Sequence, residues 1–464
     1  MEMRRDTGPP RLSAPPLTGG WRGDLPLLAW RVATCLAAPL LPLWLAHRAR
    51  RGKEEPTRLH ERRGEGADRP PGPLLWLHGA SVGESLSAIP LIEALAATRP
   101  ALRFLVTTGT VTAAKLLAAR LPAPVAPRVQ HRFVPLDVPA HVTRFLDGWR
   151  PDAAVFIESE IWPNLILATA ARDVPIALVN ARLSARSARA WAWVPSAARR
   201  LFGSFRLVIA QTELDAARLR ALGAAGARPW GNLKFAARPL PAPDEALAAL
   251  RRAIGARPVL LAASTHPGEE IQVAEAHARL RARLPDLLTI VAPRHPERGP
   301  ALARELETLP DGTAMPVARR SAEALPEPDT EIYVADTLGE LGLLYRVAGA
   351  ALIGGSLVPH GGQNPLEAAR LGCPILLGPH TTNFTAIADR LIGAGAALRV
   401  ADSATLAETA GNVLTDSARA RSMTTAAARI AADAGALPER MAAAIETLLP
   451  PATPSGAGAG AASG

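Results

Sequence analysis

Cysteine and aromatic side chains are scarce in this 464-residue sequence, which holds Cys35 and Cys373, two tyrosines and eight phenylalanines. Two cysteines so far apart supply neither a disulfide framework nor a zinc site, and they point to a reducing, cytoplasmic compartment without redox chemistry. The shortage of phenylalanine and tyrosine, with no stretch that interleaves basic residues and rings, argues against nucleic acid as the partner. There is no D-x-D triplet and no histidine-rich metal spacing. Phosphate charge in any site would therefore fall to arginine, lysine and helix ends, with no metal and no cofactor.

What the sequence does hold is an excess of base, mostly arginine, giving a net charge of +10. Such a surface attracts phosphate-rich partners, whether nucleic acid, an anionic membrane or a phosphorylated lipid, and charge alone does not choose among them. The length exceeds what one core organises, so two domains with terminal extensions are expected.

Residues 1–23 are polar and rich in Pro and Gly, which predicts a disordered tail. Residues 24–50 read as a membrane anchor: the run 25–45 is apolar and long enough to cross a bilayer. Arg31 sits inside it and Pro39 and Pro42 would kink a helix, so an interfacial helix and a full crossing both stay open. Arg48, Arg50, Arg51 and Lys53 follow at once, which by the positive-inside rule keeps the downstream domains in the cytoplasm.

From residue 74 onward short apolar runs alternate with helix-length segments. Strands are predicted at 74–78, 104–107, 153–157, 176–179 and 207–210, and after a Pro- and Ala-rich linker at 238–244 again at 258–263, 288–292, 332–335, 350–353 and 374–377. That alternation specifies parallel βαβ units. The fold class is α/β, with two Rossmann-like, doubly wound lobes at 51–237 and 238–449 facing an interdomain cleft. A low-complexity tail occupies 450–464.

The first motif, W-L-H-G-A-S-V-G-E at 76–84, ends the first strand. Glu84 stands where a P-loop has its lysine, which excludes triphosphate binding of that type. A carboxylate there either offsets the helix dipole or serves as a general base toward a sugar hydroxyl, ionised and accepting. In I-E-S-E-I-W-P-N-L at 157–165, Glu158 and Glu160 would point to opposite faces if the strand ran on, and Pro163 opens the next helix. N-A-R-L-S-A-R-S at 180–187 places Arg182 and Arg186 four apart, as if on one helical face. G-N-L-K-F at 231–235 puts Lys234 beside the linker, within reach of either lobe.

In the second lobe, A-S-T-H-P-G-E-E at 263–270 predicts a helix capped by Thr265 or His266, and V-A-P-R-H-P-E-R at 291–298 offers Arg294 and Arg298 after a strand. D-T-L-G-E at 336–340 reads as a capping box of Thr337 with Glu340. G-G-S-L-V-P-H-G-G-Q-N-P-L-E at 354–367 is a glycine-rich loop running into a helix start, with Asn364 as cap and Pro365 at the first helical position, an arrangement suited to an anion. L-G-P-H-T-T-N-F at 377–384 repeats the pattern.

Together these motifs, with R-L-H-E-R-R-G at 58–64, resemble the lipid A Kdo transferase family (Kdo, 3-deoxy-D-manno-octulosonic acid), in family order and over about 25–449. The resemblance implies a GT-B fold, a glycosyltransferase with CMP-Kdo as donor, inversion at the anomeric centre and a lipid A precursor as acceptor in lipopolysaccharide biosynthesis. It implies the acceptor in the first lobe, CMP in the second, and a place on the cytoplasmic face of the cell inner membrane, against its anionic surface. By motif position Glu84 resembles the proton acceptor, and Glu158 and Lys234 the transition-state stabilisers. Pro293 and Arg294, then Leu338, Gly339 and Glu340, then Asn364, Pro365, Leu366 and Glu367 resemble the CMP-contacting segments. Gln363 departs from the pattern, where the family usually has histidine. A GT-B enzyme using a UDP-sugar is the nearest rival, and a basic, non-catalytic membrane or nucleic-acid binding protein is the rival from another class.

Overall fold

The computed structural model of the chain describes residues 24–236, 239–322 and 325–451. Both expected tails lie outside these residues, apart from Pro450 and Pro451. Contacts divide the chain into two units, Met1–Ala236 with Ala436–Gly464, and Ala237–Gly435.

The first lobe is built on a sheet of β1 (Leu74–His78), β2 (Arg103–Thr108), β3 (Val129–Phe133), β4 (Ala153–Ile157), β5 (Ile176–Ala181), β6 (Leu207–Ala210) and β7 (Arg228–Pro229). Its order is β3-β2-β1-β4-β5-β6-β7, parallel throughout. Chain direction across the sheet reverses between β1 and β4, so the loops after these two strands diverge and leave a crevice at their carboxyl ends. All five residues of β1 are buried because helices cover both faces. Alternation then sorts them: Leu74 and Trp76 enter one core with Phe145, Phe156 and Phe202, while Leu75 and Leu77 enter another with Ile92 and Phe104.

The second sheet comprises β8 (Val259–Thr265), β9 (Leu288–Pro293), β10 (Val317–Arg319), β11 (Ile332–Val334), β12 (Ala350–Ile353), β13 (Ile375–Leu377) and β14 (Ala397–Arg399). Its order is β10-β11-β9-β8-β12-β13-β14, again parallel, with the reversal between β8 and β12. There Gly354 is required by close approach, since a Cβ would stand 2.3 Å from the Ser264 carbonyl oxygen.

Every strand expected from the sequence forms, within a residue or two at its ends. The unexpected strands, β3, β7, β10 and β14, are the outer strands of the two sheets. A second difference concerns the domain boundary, placed at 449 from the sequence. The helix Leu437–Glu446 belongs to the first unit, where Leu437, Met441 and Ile445 pack into the core beside Ile92.

At the amino end, the helix Leu25–Ala37, a 3-10 turn Ala38–Leu40 and the helix Leu41–Arg50 follow one another, with Pro39 in the turn and Pro42 in the first turn of the second helix. By length and composition alone this run could cross a bilayer. Its amino end is held to the first lobe by Ser196 Oγ donating to Asp24 Oδ1 (3.1 Å), Trp30 Nε1 to Asp137 Oδ2 (2.8 Å) and Asn164 Nδ2 to Thr34 Oγ1 (3.1 Å). At its other end Leu45 is buried and Arg48 pairs with Glu54 at 2.9 Å, which in turn pairs with Arg62 at 3.0 Å. Leu36, Leu40, Leu43 and Trp44 between them are exposed.

Candidate functional site

Two carboxylates and a lysine meet at the reversal point of the first sheet. Strand β4 stops at Ile157, and Glu158 takes a left-handed backbone with φ 61°. For a residue with a Cβ this costs roughly 1–2 kcal/mol, so the surroundings must hold it. Because the strand stops at Ile157, the condition for Glu158 and Glu160 to alternate across it is not met, and the charges of both act on Glu84.

Glu158 Oε1 lies 2.7 Å from Lys234 Nζ and 3.4 Å from Asn180 Nδ2. Lys234 therefore reaches into its own lobe, from a 3-10 turn at Leu233–Phe235. Asn180 Oδ1 accepts the Leu233 N–H at 3.0 Å and Asn232 Oδ1 accepts the Lys234 N–H at 3.0 Å, which fixes that turn. Gln211 ties the two asparagines together, donating to the Asn180 carbonyl at 3.0 Å and accepting from Asn232 Nδ2 at 3.1 Å. Asn180, itself at φ 51°, and Gln211 are thus support residues that sequence reading did not single out. Nothing short of the fold could join positions 180, 211 and 232.

Glu84 opens the helix Val82–Thr98 in a complete capping box: Ser81 N–H donates to Glu84 Oε2 at 2.8 Å, and Glu84 N–H to Ser81 Oγ at 3.4 Å. The helix-start explanation is therefore real, and it accounts for one face of the carboxylate only. Glu84 is 9% exposed. Burial, opposed by the Ser81 N–H and reinforced by the negative charges of Glu160 and Glu158, holds its carboxyl above the usual range. Gly83 lets Lys234 lie close, since a Cβ there would stand 3.3 Å from Nζ.

Glu160 is anchored by His78 Nε2 at 3.2 Å and by Trp162 Nε1 at 2.7 Å. Burial opposes its ionisation, and the hydrogen bond and charge of His78 outweigh it with help from Trp162, leaving the carboxyl below the usual range. His78, wholly buried, is braced from behind by Thr107 Oγ1 at 3.0 Å. The crevice thus holds a protonation-prone carboxylate beside one kept ionised and one paired with lysine. That combination suits removal of a proton from a hydroxyl. Arg182 and Arg186 do not share a helical face, because Arg182 precedes the helix Ala185–Ala192.

The second lobe places its motifs along the carboxyl edge of its sheet. Glu269 is wholly buried and accepts four backbone N–H groups: His266 at 2.9 Å, Gly355 at 2.6 Å, Ser356 at 2.9 Å and Leu357 at 2.8 Å. The amides of Gly355, Ser356 and Leu357 in the glycine-rich loop are thus satisfied within the protein and do not face an anion, which leaves the helix start at 364–367 as the part of the loop to consider. The helix there is one short turn, Leu366–Arg370, beginning two residues after Asn364, whose Oδ1 still accepts the Leu366 N–H at 3.1 Å. Neither Thr265 nor His266 caps the helix Glu269–Leu280, which starts from Gly268. The box expected of Thr337 with Glu340 is a side-chain hydrogen bond, and Glu340 stands at the residue before Leu341–Val347 without a side-chain capping bond.

Of the remaining candidates, Pro293 ends β9 and the exposed Arg294 follows it, its N–H bonded to the Thr265 carbonyl at 3.0 Å. Leu338 is 82% exposed, Gly339 has φ 82°, and Glu340 pairs with Arg320 at 2.7 Å. Burial holds the Glu367 carboxyl above the usual range against the charges of Arg370 and Arg294. Among the described residues no group of three or more His, Cys, Asp or Glu is arranged to hold a metal ion.

A family model described as 3-deoxy-D-manno-octulosonic-acid transferase (kdotransferase) matches residues 57–237. The 3-deoxy-D-manno-octulosonic acid transferase of Bordetella pertussis is 38% identical over 419 residues, which cover 86% of this chain and 94% of that one. The transferase of Haemophilus influenzae is 35% identical over 372 residues, 78% of this chain and 84% of its own. Among solved structures, the UDP-GlcNAc 2-epimerase of Neisseria meningitidis bound to UDP-GlcNAc superposes with a TM-score of 0.51 at 12% identity, over 81% of this chain and 100% of that one. That likeness is one of fold, the GT-B architecture of two Rossmann-like lobes.

Proposed function

The chain belongs to the 3-deoxy-D-manno-octulosonic acid transferase family of glycosyltransferases, and from that premise we propose that it transfers Kdo from CMP-Kdo to a lipid A precursor with inversion. The observation that carries the reading is the meeting of Glu84, Glu158 and Lys234 at the reversal point of the first sheet. Glu84, ionised, takes the proton of an acceptor hydroxyl. The oxygen attacks the anomeric carbon of Kdo from the face opposite the phosphate, and the bond to CMP breaks with its electron pair. Lys234, held by Glu158, stabilises charge as it develops.

The donor's nucleotide is assigned to the second lobe, at Pro293, Arg294, the segment 338–340 and the segment 364–367, and the acceptor to the first. No metal or other cofactor takes part. The membrane helix, with its exposed leucines and the basic residues after it, rests on the cytoplasmic face of the inner membrane, where the lipid acceptor lies.

The test is incubation of the purified protein with a tetraacylated lipid A precursor and either CMP-Kdo or UDP-sugars, read by mass spectrometry. A mass increment of one or more Kdo units is expected with CMP-Kdo. Turnover with UDP-sugars alone would overturn the proposal.

A further inference from the structure

Three imidazoles stand together at the carboxyl edge of the second sheet, outside every segment assigned above to the nucleotide. His266 is the first residue after β8, His295 follows β9 by two, and His360 lies in the loop after β12. The rings of His266 and His360 are stacked, with centroids 3.6 Å apart at 28°, and the ring of His295 stands edge-on to His266 at 6.4 Å. Gln363 Nε2 lies 3.0 Å from His266 Nε2. Gly355 makes room for the stack, because a Cβ there would come within 3.2 Å of the His266 ring.

Stacked imidazoles at this distance do not both carry charge unless an anion joins them. Among the described residues the carboxylate whose charge acts on His266 is Glu270, and it is already engaged by Arg298 at 2.7 Å and by Thr265 Oγ1 at 3.0 Å. Glu269 is likewise consumed by backbone amides. The position is where ligands of open α/β sheets bind, beyond the strands at the reversal point. Arg294 is the common neighbour, its charge acting on His266 on one side and on Glu367, in a nucleotide-assigned segment, on the other.

The donor presents two anions. The anomeric carbon of Kdo bears the phosphate oxygen and, on the same carbon, a carboxylate. UDP-hexoses carry their charge on the diphosphate alone and have no anionic group on the sugar. We propose that His266 and His360, with Gln363 beside them, form a subsite for the sugar carboxylate of the donor, next to Arg294, and so select a 2-keto sugar acid over a neutral sugar. The inference rests on the CMP-Kdo reading of the second lobe. Gln363 suits it, since its amide can donate to a neutral His266 or turn and accept from a protonated one.

The groups facing His266 are His360, His295, Arg294 and Glu270. Burial first, then the positive charges of His360, His295 and Arg294, hold the imidazole below its usual range against Glu270. A bound carboxylate stabilises the protonated ring, so donor binding takes up a proton and weakens as pH rises.

The experiment compares CMP, which lacks the sugar carboxylate, with CMP-Kdo, in the full chain. His360→Ala, at an exposed position, and the milder His266→Gln should each raise KM for CMP-Kdo about tenfold or more while leaving the Kd of CMP within about twofold, by calorimetry. In wild type, KM for CMP-Kdo should climb between pH 6 and 8 on the order of several-fold while CMP affinity stays flat. An unchanged KM in both variants overturns the subsite, and an equal loss for CMP assigns the cluster to the nucleotide instead. Wild type that binds neither CMP nor CMP-Kdo defeats the donor reading itself, a distinct outcome.

Discussion

At the scale of single residues, Glu84 carries two duties that compete for one side chain. Its Oε2 caps the helix through Ser81, and its ionised form is required as a base. Glutamine preserves the acceptor for Ser81 and abolishes the base, so Glu84→Gln should lower transfer by about 10²–10⁴-fold with the fold and CMP binding retained. A variant that transfers at the wild-type rate removes Glu84 from the chemistry. The acid limb of kcat/KM follows the same carboxyl. Because burial and the charges of Glu160 and Glu158 hold it above the ordinary value of about 4.3, activity should rise with pH through a limb above that value. Glu160→Gln deletes one of those charges, favours ionisation of Glu84 and should move the limb toward lower pH; a shift upward contradicts this arrangement. These chemical groups were legible as motifs, because a carboxylate after a strand has few uses. Their supports were not: Asn180 near the end of β5, Gln211 just after β6 and Asn232 after β7 converge from three separate segments, and their hydrogen bonds exist only once the sheet has set the distances.

At the scale of elements, the strands that escaped the sequence are the outer ones for a common reason. Inner parallel strands are buried on both faces and read as apolar runs, whereas β3 is half-exposed along most of its length, β7 is exposed and β10 is half-exposed. Helix starts were misread in the second lobe because residue type at the right spacing does not by itself fix where a helix begins: Glu269–Leu280 starts from Gly268 in a left-handed conformation, and Leu341–Val347 starts from Glu340 rather than Thr337. The misassigned helix Leu437–Glu446 has an apolar spacing that identifies a core-facing helix without saying which core. Its Met441 is 0% exposed in the first lobe. Met441→Ala should therefore destabilise the first lobe by about 2–5 kcal/mol. Hydrogen exchange should show amides of β1 and β4 opening sooner and those of β8 and β12 unchanged, and the reverse pattern would return the helix to the second lobe.

At the scale of the whole molecule, the question is how the chain meets the bilayer. A helical run of 26 residues, about 39 Å long, exceeds the roughly 30 Å of hydrocarbon. Length alone permits a crossing. Yet Asp24 at one end and Arg48 at the other are both tied to the first lobe, through Ser196 and through Glu54 with Arg62. A spanning helix puts its ends on opposite sides of the membrane and must release one of these attachments, leaving Asp24 or the Glu54–Arg62 pair to be rebuilt elsewhere. A helix lying in the interface keeps both and buries Leu36, Leu40 and Leu43 among acyl chains. Cys35, exposed in the middle of the run, reports which occurs without any substitution, since Cys373 is buried and its thiol is pushed up by that burial. A bimane attached to Cys35 in anionic vesicles should be quenched most by lipids brominated close to the headgroups. Maximal quenching by lipids brominated at the chain ends would place Cys35 at the bilayer centre and require the helix to cross.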